Sequence, residues 1–176
     1  APLFVDDLAG NSIERMRSVC RRIRAEHGIG LMIVDYLQLM STSKNYDSMV
    51  NQVTEISRSL KALAKEFDVP VIALSQLSRA VESRGGRPRL SDLRDSGSIE
   101  QDADIVMFIH REDKGKDESE KTNIAEILIE KHRNGPVRKL DLYFDEKTTS
   151  FLSIDKSGVS NFGPSSGGQN GGLDQF

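Results

Sequence analysis

Two polar side chains that could contact a nucleotide follow two short apolar runs of this 176-residue chain. Asp35 closes the run 31–34, and Gln76 follows the run 71–74. Open α/β sheets bind ligands outside the carboxyl ends of their strands, so both side chains are expected at one crevice. A carboxylate there can hold Mg²⁺, and an amide can contact a phosphate or orient water. Each residue taken alone also fits a structural role beside a loop.

Cations cluster in two further segments. Lys131 and Arg133 lie two positions apart at a strand end, so their side chains should project to the same side. Such a pair suits an anion that arrives from outside the domain, but it is also typical of a solvated sheet edge. The loop 83–95 has a composition that fits either contact with a phosphate backbone or plain solvation. Its cations are Arg84, Arg87, Arg89 and Arg94.

The composition argues against several other kinds of site. The only cysteine, Cys20, excludes an internal disulfide and a cysteine-based zinc site, and it favours a reducing, cytoplasmic setting. The three histidines are scattered, which makes a metal site improbable. No Gly-x-x-x-x-Gly-Lys-Ser/Thr phosphate loop occurs. The formal charge is −3, and no apolar run approaches the roughly 18 residues of a membrane span.

Alternating helices and short strands should position these residues. Apolar residues spaced by three and four predict a helix from Met49 to Phe67. Residues 10–12 can cap an earlier helix, and that helix should end at residues 27–30, where glycine supplies the terminal conformation. Runs 31–34 and 71–76 read as strands buried on both faces. Further strands are predicted near 3–5, 105–109, 124–129, 139–144 and 148–154, the last two as a hairpin.

These elements predict an α/β fold with a mostly parallel sheet, flanked by helices and extended by antiparallel strands at one edge. The ordered domain should span 1–156. Residues 157–176 are rich in Gly, Ser, Asn and Gln, and they bury too little apolar area to offset the entropy of ordering. We therefore expect a disordered tail there.

Four segments occur in a distinctive order: LMIVDYLQLM, TEISRSLKALAKEFDVPVIALSQLSR, SDLRDSGSIEQDADIVMFIHRED and KHRNGPV. Together they closely resemble the bacterial replicative hexameric DNA helicases of the DnaB family, from residue 1 to about 154. The resemblance implies the later part of a RecA-like P-loop ATPase domain, N-terminally truncated because the Walker A segment is absent.

The resemblance implies roles at a shared ATP site. Asp35 matches the Walker B carboxylate that holds Mg²⁺ through water, and Gln76 matches the sensor that couples the γ-phosphate to DNA. Lys131 and Arg133 match cations presented in trans to the ATP of an adjacent subunit. With Gln76, these two cations are the candidate catalytic residues.

The resemblance also implies a DNA contact. Arg94, Asp95 and Gly97 match the central-channel loop that grips the DNA backbone, with Asp95 where the family more often has Glu. The resemblance implies no role for residues 84–89.

The function implied by the resemblance is that of a replicative 5′–3′ DNA helicase of the primosome, which hydrolyses Mg-ATP and unwinds duplex DNA as a homohexameric ring. Its expected partners are single-stranded DNA, identical subunits, primase and a helicase loader, in the cytoplasm at the nucleoid and away from membranes. The segment by itself is expected to be inactive. The alternative is a truncated paralogue without catalysis that acts as a ring-interaction module.

Overall fold

The computed structural model describes residues 2–8, 10–42 and 46–154. Four helices and six strands are formed within these ranges. The helices are α1 (Ile13–His27), α2 (Met49–Phe67), α3 (Ala80–Arg84) and α4 (Gly97–Asp102). The strands are β1 (Met32–Val34), β2 (Val71–Ala73), β3 (Ile105–His110), β4 (Ile124–His132), β5 (Arg138–Asp145) and β6 (Ser150–Ser153). The predicted tail 157–176 lies outside the described residues, so the boundary at 156 stays a prediction.

Local capping explains where α1 begins and ends. The Ser12 hydroxyl accepts a hydrogen bond from the backbone N–H of Arg15 at 3.3 Å. At the other end Gly28 has a φ of 77°, and its N–H donates to the carbonyl of Arg24. A positive φ is cheap only for glycine, which stops the helix at this residue. Both predicted ends of α1 are confirmed.

Helix α2 forms one side of the main core. Its apolar stripe is buried, as the spacing predicts, and it packs with residues of α1 and β1. The helix ends where Asp68 adopts the left-handed conformation, with a φ of 52°. The buried side chains of the stripe are Val53, Ile56, Leu60, Leu63 and Phe67.

The strands form two sheets rather than one mostly parallel sheet. β1 and β2 pair in parallel, with Met32 opposite Val71 and Val34 opposite Ala73. The other four strands form an antiparallel sheet in the order β3-β4-β5-β6. A short turn can join two neighbouring strands only when they run antiparallel, because parallel neighbours need a long crossover connection. The strands β4, β5 and β6 follow one another through short turns and are therefore antiparallel. The α/β class stands, but the antiparallel part is larger than the sequence predicts.

Neither strand predicted to be buried on both faces is buried in that way. In β1, Met32 and Val34 are buried while Ile33 is 62% exposed. In β2, only Val71 is partly buried. The apolar strand β3 is one-sided as well, with Val106 and Phe108 buried and the alternate side chains facing solvent. Burial of both faces needs cover from two sides, and the described elements supply it on one.

The predicted strand at residues 3–5 is absent from the described N-terminal segment. Residues 2–8 pair with no strand of the described ranges. The nearest pairing is an isolated parallel bridge between Ser12 and Ser41. Without a ladder of hydrogen bonds, the apolar pattern of these residues does not suffice to form a strand.

Candidate functional site

The parallel pair β1–β2 places Asp35 and Gln76 at the same end of the sheet. The N–H of Leu74 donates to the carbonyl of Val34 at 2.9 Å, which keeps the two chains side by side as the strands end. Asp35 follows immediately, is exposed, and lines an open cleft of about 1730 Å³. Gln76 lies two residues beyond Leu74 and is also exposed. Both residues therefore follow the same end of the paired strands, but Gln76 is not among the residues that line the Asp35 cleft, so their meeting at one crevice stays a prediction.

Gln38 fixes the backbone beside Gln76, a role that the sequence analysis missed. Its amide Nε2 donates to the Ser75 hydroxyl at 3.1 Å, and its Oε1 accepts from the Gln76 N–H at 3.3 Å. Both contacts join segments 37 or 38 positions apart, so no local spacing signals them. Gln38 thereby holds the chain that carries the Gln76 side chain.

The donors at this edge fit a magnesium ion held mainly by a nucleotide. Asp35 makes no ion pair within the described ranges, so its carboxylate can accept from water or a cation. Mg²⁺ commonly keeps several waters and binds one or two carboxylates together with substrate phosphates. Among the described residues, no group of three or more His, Cys, Asp or Glu side chains is placed to hold a metal ion by itself.

Lys131 and Arg133 meet at the end of α4. The Lys131 ammonium donates to the carbonyl oxygens of Glu100 and Gln101, and Nη2 of Arg133 donates to the Gln101 carbonyl at 3.1 Å. Cations are favourable at a helix C-terminus, where carbonyl groups lack helical partners. The two side chains therefore converge, as their spacing predicts, and half of the Arg133 side chain remains exposed.

A carboxylate and a third cation complete this corner, and sequence reasoning missed both. Asp104 forms ion pairs with Lys61 and with Arg133, the latter at 3.3 Å. The hydrogen bond from Lys61, assisted by the charges of Arg133 and Lys131, holds the pKa of Asp104 below its usual value. Asp104 and Lys61 are separated by 43 positions, so only the packing of α2 brings them together.

The proposed DNA-contacting residues lie at the junction of a 3₁₀ segment, Leu90–Ser96, with α4. The side chains of Arg94 and Asp95 lie outside what the structure describes, so their contacts stay predictions. Gly97 opens α4 in a helical conformation, and an added Cβ would meet no atom within 4 Å. Packing within the described residues therefore does not require a glycine at this position.

Two of the four arginines of the loop 83–95 form ion pairs with carboxylates of the protein. Arg84 makes a bidentate ion pair with the buried Asp92, both bonds at 2.8 Å. Arg87 makes another with Glu126, both at 2.6 Å. These ion pairs neutralise Arg84 and Arg87, two of the cations that the sequence offered for contact with a phosphate backbone. The loop still lines an open cleft of about 820 Å³, but contact with a phosphate backbone is less well supported here than composition indicates.

Cys20 is a packing residue. Its thiol lies 3.7 Å from the sulfur of Met32 at the edge of the main core, and burial raises its pKa. A raised pKa disfavours the nucleophilic thiolate.

Among the residues that the structure describes, no helix has the length and apolar composition that a membrane span requires.

Comparison with known proteins gives consistent matches. Residues 1–153 match the model of the DnaB-like helicase C terminal domain. The chain is 49% identical over 158 residues to the replicative DNA helicase DnaB of Geobacillus stearothermophilus, covering 89% of this chain and 35% of that protein. It is 48% identical over 156 residues to the replicative DNA helicase DnaC of Bacillus subtilis, covering 88% and 34%. The chain thus spans about a third of the length of these relatives.

Solved structures agree with these matches. One of them, described as an ATPase domain, superposes with a TM-score of 0.77 at 47% identity, over 83% of this chain and 52% of that chain. A DnaB-like replicative helicase, described with its interactions with primase, superposes with a TM-score of 0.79 at 47% identity, over 85% and 36%.

Proposed function

This chain belongs to the DnaB-like helicase C-terminal domain family, and from that premise we propose that it is the later part of the motor domain of a replicative 5′–3′ DNA helicase. The full protein would hydrolyse Mg-ATP and unwind duplex DNA as a homohexameric ring in the cytoplasm. The observation that carries the proposal is the convergence of Lys131 and Arg133 on an exposed corner at the end of α4. Two cations fixed side by side, with half of the Arg133 side chain exposed, suit a phosphate that arrives from outside the domain.

In the proposed reaction the chain contributes to two different ATP sites. Asp35 would hold Mg²⁺ through water beside the nucleotide of its own subunit, and Gln76 would contact the γ-phosphate. Bound Mg²⁺ neutralises charge on the phosphates. Lys131 and Arg133 would reach the nucleotide of the neighbouring subunit and stabilise the charge that develops as the phosphoryl group is transferred. A cation in this role is worth about 10³–10⁵ in rate.

The same segment would contact single-stranded DNA through Arg94, Asp95 and Gly97. The glycine allows a phosphate to approach the backbone N–H groups, and the arginine supplies charge. Because α4 begins at Gly97 and packs on α2, movement of the loop would follow movement of the domain. One similar helicase is described with its interactions with primase, and we extend primase to this protein as a partner, together with a helicase loader.

Substitution of Arg133 in the full-length protein tests the ATPase part of this proposal. Arg133→Ala should lower DNA-stimulated ATP hydrolysis by about 10³-fold or more while the protein still forms rings. Arg138→Ala, an exposed arginine on β5, is the matched control and should retain activity. Rings that mix Arg133→Ala subunits with subunits defective in the phosphate loop should regain some activity, because some interfaces then combine two intact halves. Full activity of Arg133→Ala would contradict the proposal, and the isolated segment should hydrolyse no ATP.

Substitution of Arg94 tests the DNA part. Arg94→Ala in the full-length protein should weaken binding to single-stranded DNA about equally for different sequences. It should also reduce the slope of log affinity against log salt by about 0.7, because one phosphate contact is lost. A change confined to ATP affinity would contradict the assignment of this loop.

A further inference from the structure

Three cations from two elements surround the carboxylate of Asp104. Lys61 on α2 and Arg133 form ion pairs with it, and Lys131 at the end of β4 bonds the neighbouring carbonyl groups of α4. Asp104 is therefore a carboxylate shared by two cations, with a third cation close by. The side chains of Asp104 and Arg133 are 51% and 50% exposed. The exposed half of the Arg133 side chain can meet an anion from solvent.

The position of Arg133 is fixed at both its backbone and its guanidinium. Its N–H donates to the Asp104 carbonyl at 2.8 Å. Its Nη1 lies 3.3 Å from the Asp104 carboxylate, and its Nη2 donates to the Gln101 carbonyl. A planar guanidinium held at two nitrogens has few remaining orientations, and its remaining N–H groups stay available. Asp104 supplies two of the three contacts.

The helix that anchors these cations is itself held firmly on α2. The Ser98 hydroxyl donates to that of Thr54 at 2.9 Å, and the Ser57 hydroxyl donates to the Asp102 carboxylate at 2.9 Å. Helix α4 has six residues and is therefore about 9 Å long. Its first residue is Gly97, and its last turn carries the carbonyl groups that bind Lys131 and Arg133. A short, anchored helix thus connects the loop and the cationic corner.

We propose that Asp104 is a positioning residue, which orients Arg133 toward a nucleotide phosphate carried by another subunit. This inference rests on the proposed function. Lys61 fixes the other oxygen of the carboxylate, so Asp104 itself is held from α2. Orienting the guanidinium before the phosphate arrives removes the need to order it during the reaction, and a misplacement of about 1 Å can cost on the order of 100-fold in rate.

The test compares Asp104→Asn with the wild type in the full-length protein, by steady-state ATP hydrolysis with saturating single-stranded DNA. We expect kcat to fall about 10- to 100-fold with the KM for ATP unchanged within about twofold, because Arg133 acts on the transition state and other groups bind ATP. Asp104→Glu keeps the charge and should recover part of the loss. Asp141→Asn is the control, since this carboxylate pairs with Lys139 on β5 and should leave kcat unchanged.

Three outcomes would overturn the inference. They are a kcat within twofold of wild type for Asp104→Asn, a rise in KM that accounts for the whole effect, and a fall in kcat that accompanies loss of the ring in sedimentation. Arg133→Ala in the same assay separates the two proposals. If Arg133→Ala abolishes turnover and Asp104→Asn leaves kcat within twofold of wild type, the positioning role fails alone. If Arg133→Ala retains turnover, the proposed function fails and the positioning role with it.

Discussion

Replacing Glu126 with glutamine should destabilise the protein at neutral pH, because this carboxylate joins two cations from different elements. It accepts two hydrogen bonds from Arg87 at 2.6 Å and one from Lys139 at 2.8 Å. Its side chain is only 13% exposed. The pair with Arg87 fastens the loop that precedes the segment proposed to contact DNA to the middle of the antiparallel sheet. Glutamine keeps the shape of the side chain and removes the charge.

The magnitude follows from the pKa of this group. The hydrogen bond from Arg87, followed by that from Lys139, lowers the pKa of Glu126 from 4.5 to about 2. A difference of that size corresponds to about 3.4 kcal/mol between the charged and neutral forms. The partner side chains are 57% and 42% exposed, so solvent screening should reduce the effect to about 1–2 kcal/mol.

The pH dependence has a definite sign. The folded pKa lies below the unfolded value, so the stabilisation is complete above about pH 5 and disappears as the pH falls toward 2. At pH 3 about two fifths of it should remain. Urea unfolding of wild type and Glu126→Gln at pH 7 and pH 3 measures both values, provided that the denaturant slopes agree. Asp141→Asn is the control, because among the described residues Asp141 forms an ion pair with Lys139 but neither a hydrogen bond nor an ion pair with Arg87. It should change stability by less than about 0.5 kcal/mol.

Two results would refute this reasoning. One is a Glu126→Gln protein as stable as the wild type at pH 7. The other is a difference between the two proteins that is the same at pH 3 as at pH 7, since a loss of packing alone would not titrate.

Two further predictions concern close packing. Gly135→Ala should destabilise the protein by about 0.5–1.5 kcal/mol in urea unfolding, because an added Cβ would overlap the His132 ring and force this partly exposed side chain out of its rotamer. Gly30→Ala, where an added Cβ meets nothing within 4 Å, should be nearly neutral, and equal effects at both sites would contradict the explanation. Cys20 should react with a thiol-specific disulfide reagent at least about tenfold faster in urea than in the folded protein, because burial raises its pKa. Equal rates would show that the thiol is accessible in the folded state.

Local patterns determined much of the fold. The apolar stripe of α2, the Ser12 cap and the Gly28 stop of α1 all appear where the sequence places them, because these signals act between residues at most a few positions apart. The order of the four family segments indicated the helicase motor and a RecA-like fold. Polar residues at the ends of apolar runs also located Asp35 and Gln76, since the carboxyl ends of parallel strands meet at one edge.

Sequence alone did not reveal which charges are neutralised or which strand faces are covered. Arg87 and Glu126 are 39 positions apart, so a loop that reads as basic is in fact partly balanced by the sheet beneath it. The exposure of Ile33 depends in the same way on which elements pack over β1. The positions of Lys61 and Asp104 beside Arg133 were likewise decided by tertiary structure. Charge balance, and which faces of the strands are covered, depend on contacts between distant segments, and the spacing of residues along the chain does not specify those partners.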